Sequence, residues 1–484
     1  MIMHFSAENI ILAGSLLLLA GIAAGKTSGR FGVPTLLLFL SIGILAGSEG
    51  VGGIHFDDPA IAQLIGIVAL NFILFSGGLD TNWQKIKPVL WQGISLSTIG
   101  VFITALVVGL FVHLFFHFSL AEGLLLGAIV SATDAAAVFS ILRNRGVRLK
   151  DKVGTLLEFE SGSNDPMAYF LTITLTGVVA SGQFDGWTFI LLFAKEFFIG
   201  GLMGYAMGKL GHWVINNIKL STDGLYPVLL LGLAMFTYSA THVIGGNGFL
   251  AVYVCALILG SSDFIHKRSL LKFYDGQAWL MQIILFVTLG MLVFPSKVIP
   301  VMGSGLLMAM FLILVARPLG VLAALAFSKS GIRSKLFISW VGLRGSVPIV
   351  FATYPLLAGL DKAGMIFNLV FFISVTSVLL QGTSLPAVAR WLKVVNDEPV
   401  AEPEKIVTGT AGNELKEIIL NTGAKAIGKK IVDLRLPETA QLLSIRRNGV
   451  YIQPTGADKL LAGDQLLLVL DKKENFSGIY SMLV

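Results

Sequence analysis

The chain has 484 residues, of which 55% are hydrophobic and 13% charged, with a net charge of +6 and a mean hydropathy of +0.81. That composition lies outside the soluble range and implies a polytopic membrane protein. Its basic residues are dispersed and form no concentrated tract, which argues against nucleic acid as a partner.

Apolar stretches long enough to cross ~30 Å of hydrocarbon recur from Asn9 to about Val394. Thirteen are predicted, over 8–25, 33–49, 60–79, 88–116, 120–142, 153–180, 187–208, 224–243, 248–262, 275–294, 299–327, 336–358 and 364–390. The first has no Lys or Arg before it and no clear small-residue cleavage site, so it reads as a retained helix. Loop charges test the count. Nineteen Lys and Arg fall on one side, from Lys26 and Arg30 to Arg390 and Lys393, against Lys297 and Lys362 on the other. Cytoplasmic loops collect such residues, so the N-terminus is expected outside and the C-terminal part in the cytoplasm.

The fifth span, "AEGLLLGAIVSATDAAAVFSIL", places Asp134 mid-membrane after Ser131 and Thr133. Those hydroxyls can replace helix backbone bonds, and an interruption is expected there. The sixth contains "EFESGSNDPMAYF" at 158–170, between two apolar runs. A charged side chain at the bilayer centre costs roughly 2.5–3.5 kcal/mol on insertion scales, so these acids point to function. At helical spacing Ser161 and Asp165 share a face, with Asn164 beside them and Glu160 one turn below Asn164. Pro166 has no N–H to give the Gly162 carbonyl, which would then face a cavity as a further oxygen ligand. The bland alternative is a Pro-kinked helix whose polar residues bond to neighbours.

The eleventh span carries Arg317, and the twelfth carries Arg344 among Gly342, Gly345 and Pro348. Interrupted helices in corresponding positions point to inverted repeats, here spans one to six and eight to thirteen, with an ion site at the midplane. Arg317 needs a counter-ion and Glu160 is the expected one, unless either arginine snorkels to an interface. His113 and His117 share a helix face without a third ligand and read as packing.

After Lys393 the character changes. Residues 394–408 read as an acidic, Pro-containing linker between a membrane domain at 1–393 and a small α+β domain at 409–484. Asn448-Gly449 and Gly463-Asp464 read as turns between its strands. Cys255 is the single cysteine, which excludes disulfides and thiolate metal sites, and no cofactor is expected.

The motifs "SATDAAAV", "ESGSNDP", "ARPLG" and "GLRGSVP", in this order, resemble the monovalent cation/proton antiporters of the NhaP type, in the electroneutral branch with Asn-Asp where electrogenic relatives have Asp-Asp. The resemblance covers about four-fifths of the chain. It implies an all-α polytopic fold with two crossing interrupted helices, a homodimer, and a core of six helices that moves against an interface domain in a prokaryotic inner membrane. It implies cation ligation by Asp165, Ser161 and the Thr133 backbone, supported by Asp134 and Asn164, with Glu160–Arg317 as a structural ion pair and Arg344 supporting the crossing. One position departs from the pattern: many relatives carry an acid where the third span has Ser76. The segments "GKKIVDLRLPE", "IRRNGVYIQP" and "LLAGDQLLLV" resemble the C-lobe of regulator-of-potassium-conductance domains, which implies dimerisation and a small regulatory ligand such as a nucleotide. The pairing favours potassium over sodium as cargo.

Two other classes are weighed. A cation channel gated by the cytoplasmic lobe would need a carbonyl filter, and no TVGYG-like stretch occurs. An enzyme would need a nucleophile with a base or a metal motif, yet Ser161 lacks a plausible His partner and no HExxH occurs.

Overall fold

A computed structural model describes residues 7–31, 34–396, 413–421, 423–434, 436–437, 440–447, 450–452, 454–456, 458–471, 480 and 483. They form two compact units, Met1–Asn396 and Asp397–Val484.

The first unit is helical. Its elements are α1 (Ala7–Phe31), α2 (Thr35–Ala46), α3 (Pro59–Asp80), α4 (Trp83–Phe116), α5 (Leu120–Ile129), α6 (Ala135–Asn144), α7 (Asp151–Ser181) and α8 (Gly186–Asn217). They continue with α9 (Leu225–Val243), α10 (Gly248–Gly260), α11 (Lys267–Met291), α12 (Pro295–Ala324), α13 (Ile332–Trp340), α14 (Ser346–Leu357) and α15 (Ala363–Trp391). Seven of these are long and apolar enough to cross a membrane by themselves, among the described residues: α1, α3, α4, α8, α9, α12 and α15. Every expected apolar stretch coincides with one helix or with a broken pair. The fifth stretch is α5 and α6, interrupted at 130–134, and the twelfth is α13 and α14, interrupted at 341–345.

The element pattern repeats internally. α4 begins as Trp83–Ile86, tightens to a 3₁₀ turn at Lys87–Val89, and widens to a π-turn at Leu96–Gly100. α12 follows the same order, with Pro295–Val298, a 3₁₀ turn at Ile299–Val301 and a π-turn at Leu312–Ala316. The proline in each 3₁₀ turn, Pro88 or Pro300, cannot donate the next helical bond. Both helices belong to corresponding places of the two expected repeats.

Two packing groups emerge. α10 packs on α8, α3 and α9, and α11 on α2 and α3. α7 packs on α5 and α4, α4 on α5 and α12, and α15 on α12 and α14. Past α15 the chain turns back, and Val395 forms an antiparallel bridge with Leu149 in the loop joining α6 to α7. Lys150 N donates to the Val394 carbonyl at 3.0 Å and Asn396 N to the Arg148 carbonyl at 2.9 Å.

The second unit holds an antiparallel sheet of order β1 (Asn413–Ile419), β4 (Gln465–Asp471), β2 (Ala440–Arg447), β3 (Val450–Ile452). Arg447 pairs with Val450 across β2 and β3, and the turn expected at Asn448-Gly449 lies outside the described residues. Gly463 takes φ +86° in the turn before β4, as a glycine can without penalty. Residues 397–408 of the expected linker also lie outside the described set.

Candidate functional site

The interruption between α5 and α6 is stabilised locally. Ser131 Oγ donates to the Ala128 carbonyl at 2.6 Å, satisfying one of the acceptors left free at the end of α5. Asp134 N donates to the Leu343 carbonyl at 2.9 Å, joining this interruption to the one between α13 and α14. Asp134 Oδ1 accepts from Ala137 N at 3.0 Å, in the first turn of α6. A Cβ on Gly345 would collide with the Asp134 carboxylate, so only glycine lets that acid reach the start of α14. The carboxylate therefore bonds within the first turn of α6 and lies against the residue before α14, and helix N-termini favour negative charge.

The opposite ends have their own partners. Arg344 Nη1 donates to the Gly342 carbonyl at 2.6 Å, just beyond α13. Gln381 Nε2 donates to the Trp340 carbonyl at 2.7 Å, and Ser377 Oγ donates to Gln381 Oε1 while accepting from Arg344 N. Both Ser377 and Gln381 are buried on α15, and neither was singled out from the sequence.

α7 runs unbroken through Pro166 and lays its polar face against the first interruption. Ser161 Oγ donates to the Thr133 carbonyl at 3.0 Å and accepts from Ala135 N at 2.9 Å. Asn164 Nδ2 donates to Thr133 Oγ1 at 2.5 Å, leaving its buried Oδ1 without a partner. Asp165 is 7% exposed, and its Oδ1 is buried with no hydrogen-bond partner. The geometry thus gathers one unpartnered carboxylate, a hydroxyl and two amide-type oxygens, an oxygen-rich set that suits a hard cation. Among the described residues no group of three His, Cys, Asp or Glu could hold a metal ion.

One turn towards the N-terminus of α7, Glu160 accepts from Arg317 Nη2 at 2.6 Å, with both side chains at most 2% exposed. Arg317 follows directly on the π-turn of α12, which re-aims the helix at that point. Neither arginine reaches an interface, so the snorkelling alternative does not describe this fold.

A cavity of about 730 Å³ leads to this cluster and is lined by Asp165, Ser161 and Asp134 at its deep end. Ser76 also lines it, and Asp80, Arg145 and Asp275 line it near the basic-loop ends of α3, α6 and α11. One turn beyond Asp165 along α7, Tyr169 belongs to a cluster of rings. Tyr169 lies 5.1 Å from Phe249, 5.7 Å from Tyr354 and 5.9 Å from Phe351, and Tyr238 lies 5.0 Å from Phe249. The sequence reading missed this aromatic cluster because its members come from four helices.

Residues 14–391 match the sodium/hydrogen exchanger transmembrane family. The chain belongs to that family. Residues 415–474 match the TrkA-C domain. Among exchanger relatives, the chain is 41% identical over 446 residues to the K(+)/H(+) antiporter NhaP of Alkalimonas amylolytica, covering 91% of this chain and 78% of that protein. It is 38% identical over 483 residues to the K(+)/H(+) antiporter NhaP2 of Shewanella oneidensis, covering 99% of this chain and 83% of the relative. The solved sodium proton antiporter MjNhaP1 from Methanocaldococcus jannaschii superposes with a TM-score of 0.69 at 25% identity, over 79% of this chain and 99% of the other. The exchanger family thus spans the helical unit, and the helical polytopic fold with a small C-terminal sheet domain agrees with the expectation from sequence.

Proposed function

We propose that this exchanger-family chain is a secondary active, electroneutral monovalent cation/proton antiporter in which a cation and a proton compete for Asp165. The observation that carries the reading is the buried Asp165 carboxylate, without a hydrogen-bond partner on Oδ1, lining a cavity that extends to Asp80, Arg145 and Asp275 beside the basic loops. Burial disfavours a bare charge, so such a carboxylate is neutralised either by a proton or by a cation. Ser161 and the Thr133 carbonyl complete the cation shell; Asn164 and Asp134 support it, and Glu160–Arg317 with Arg344 hold the frame. The structure then corresponds to the state open to the cytoplasm, with the aromatic cluster closing the far side.

Thirteen crossings in two inverted repeats, with the N-terminus outside and the C-terminal domain cytoplasmic, fit the helix order and the loop charges. On this reading the transport domain is 1–393, a linker 394–408 and a regulatory lobe 409–484, in a homodimer in the inner membrane of a prokaryote. The relatives named for potassium favour that ion, and the TrkA-C match favours control by a small ligand. The test is flux in proteoliposomes, exchanging potassium, sodium and lithium against an imposed proton gradient. Uphill, proton-coupled potassium movement supports the reading; cation movement that only follows its own gradient refutes it and indicates a channel.

A further inference from the structure

The two packing groups meet where α14 packs on α3 and α11 and where α7 packs on α10, and the named contacts between α7 and α10 are mostly apolar. Gly162 lies so close to the Tyr253 ring that a Cβ would collide with it. Phe159 lies 6.4 Å from the same ring, and Tyr169 meets Phe249 edge-on at 5.1 Å. Contacts of this kind are non-directional and let one helix shift against the other.

Asn247 is different. It is fully buried, at 0% exposure. Its Oδ1 accepts from Leu250 N at 3.0 Å and caps α10, while its Nδ2 donates to the Pro166 carbonyl at 2.9 Å. Its own N–H donates to the Glu196 carbonyl of α8 at 3.0 Å. One residue therefore ties α8 and α10 to the residue that follows Asp165, with its side chain making the link to α7.

We propose that Asn247 is a positioning residue for Asp165: its bond to the Pro166 carbonyl holds α7 at the depth where Asp165 faces the cavity, and each transport cycle releases it. This rests on the antiport reading above, in which the site opens to one face of the membrane at a time. Hydrogen bonds lose strength steeply with misalignment, so an axial shift of α7 past α10 breaks this link. Without it, the arrangement open on the far side gains population, since a conformational equilibrium follows the contacts made in each state.

The test separates cap from tether. Asn247→Ser keeps a good helix cap but is too short to reach the Pro166 carbonyl. Phe351→Cys, at a fully buried position whose ring faces Tyr169, reports opening of the far side, and native Cys255, also at 0% exposure, reports general loosening. The full-length chain in proteoliposomes is treated with a membrane-impermeant maleimide from the face opposite the cavity. Adding Asn247→Ser should raise the labelling rate of Phe351→Cys about tenfold, equivalent to ~1.4 kcal/mol, while Cys255 in the Asn247→Ser chain stays unlabelled. An unchanged rate at Phe351→Cys overturns the proposal, and so does a matching rise at Cys255. Labelling needs no coupled flux, so failure of the antiport reading is seen separately, in the parent chain's exchange.

Discussion

Breaking the Glu160–Arg317 pair should destabilise the fold asymmetrically, because Arg344 is beside it. A Cβ on Gly342 would touch both Arg344 Nη1 and Arg317 Nε, so the two guanidiniums are neighbours facing one carboxylate. All three side chains are at most 2% exposed. Opposite charges about 4 Å apart attract by about 4 kcal/mol at an effective dielectric of about 20. Removing one partner of a buried pair typically costs about 3–5 kcal/mol. Glu160→Gln leaves two adjacent buried cations and belongs at the upper end, near 5 kcal/mol by that same range. Arg317→Met leaves Glu160 with Arg344 as a substitute partner and belongs near 3 kcal/mol. The double variant retains a single cation held by the Gly342 carbonyl and should cost less than Glu160→Gln alone. Thermal melting of the purified protein reads this order, with a fall on the order of ten degrees for Glu160→Gln. An Arg317→Met chain that melts like the parent, or a double variant less stable than either single, would refute the reasoning.

Asp165→Asn should abolish exchange in a chain that still folds, and retained potassium-dependent proton flux would remove Asp165 from the mechanism. A chain ending after Asn396 keeps the Leu149–Val395 bridge and should retain exchange with an altered pH profile or ligand response, whereas one ending after Trp391 loses the bridge and should melt lower. Complete loss of exchange in a well-folded chain ending at Asn396 would argue against a purely regulatory lobe. In the C-terminal sheet, burial opposes ionisation of Asp464, but hydrogen bonds from Arg447 and Leu461 N outweigh it and hold the carboxyl below its usual range. Its stabilisation is therefore full above the unfolded value near 4 and lost as pH falls through the lower folded value. Limited proteolysis of the full chain should show the lobe opening in acid, and Asp464→Asn should weaken it at neutral pH by about 2–3 kcal/mol, between exposed and buried pairs; equal protease resistance of the two chains at pH 7 would exclude this role.

Hydropathy located the helices because lipid-facing and core-facing positions are both apolar, so little depends on partner identity. It misjudged polar extensions: α8 continues to Asn217 against an expected 208, and α11 starts at Lys267 against an expected 275. Helical hydrogen bonding continues past the hydrocarbon boundary that hydropathy detects. The geometry unites Thr133, Asp134, Ser161, Asn164 and Asp165, which two neighbouring spans supply. What stayed hidden depends on distant partners. Asn247 bonds to a carbonyl 81 residues away. Its position in "GGNGFLAV" did carry one local signal, a capping residue directly before an apolar run. The Ser377–Gln381 support on α15 and the Leu149–Val395 bridge have no comparable local mark.

The charge inventory also bears on stoichiometry. Asp134 accepts from Ala137 N in the first turn of α6 and lies against Gly345, so its Oδ1, unlike that of Asp165, already has a hydrogen-bond partner. Glu160 is matched by Arg317. Asn164, which donates to Thr133 Oγ1, brings no charge. In the proposed mechanism Asp165 is then the acid that alternates between a cation and a proton, and either partner leaves it neutral. One cation is then expected to exchange for one proton, with no net charge crossing. Had a charge crossed, 100 mV would contribute about 2.3 kcal/mol to each cycle and shift the balance point about fiftyfold. With voltage clamped by potassium-free ionophores, the concentration ratio at which net flux stops should stay constant between 0 and about −100 mV. A balance point that moves with voltage, or a steady cation-dependent current on a solid-supported membrane, would mean that a second group carries protons; a further Asp134→Asn change that restores voltage independence would identify it.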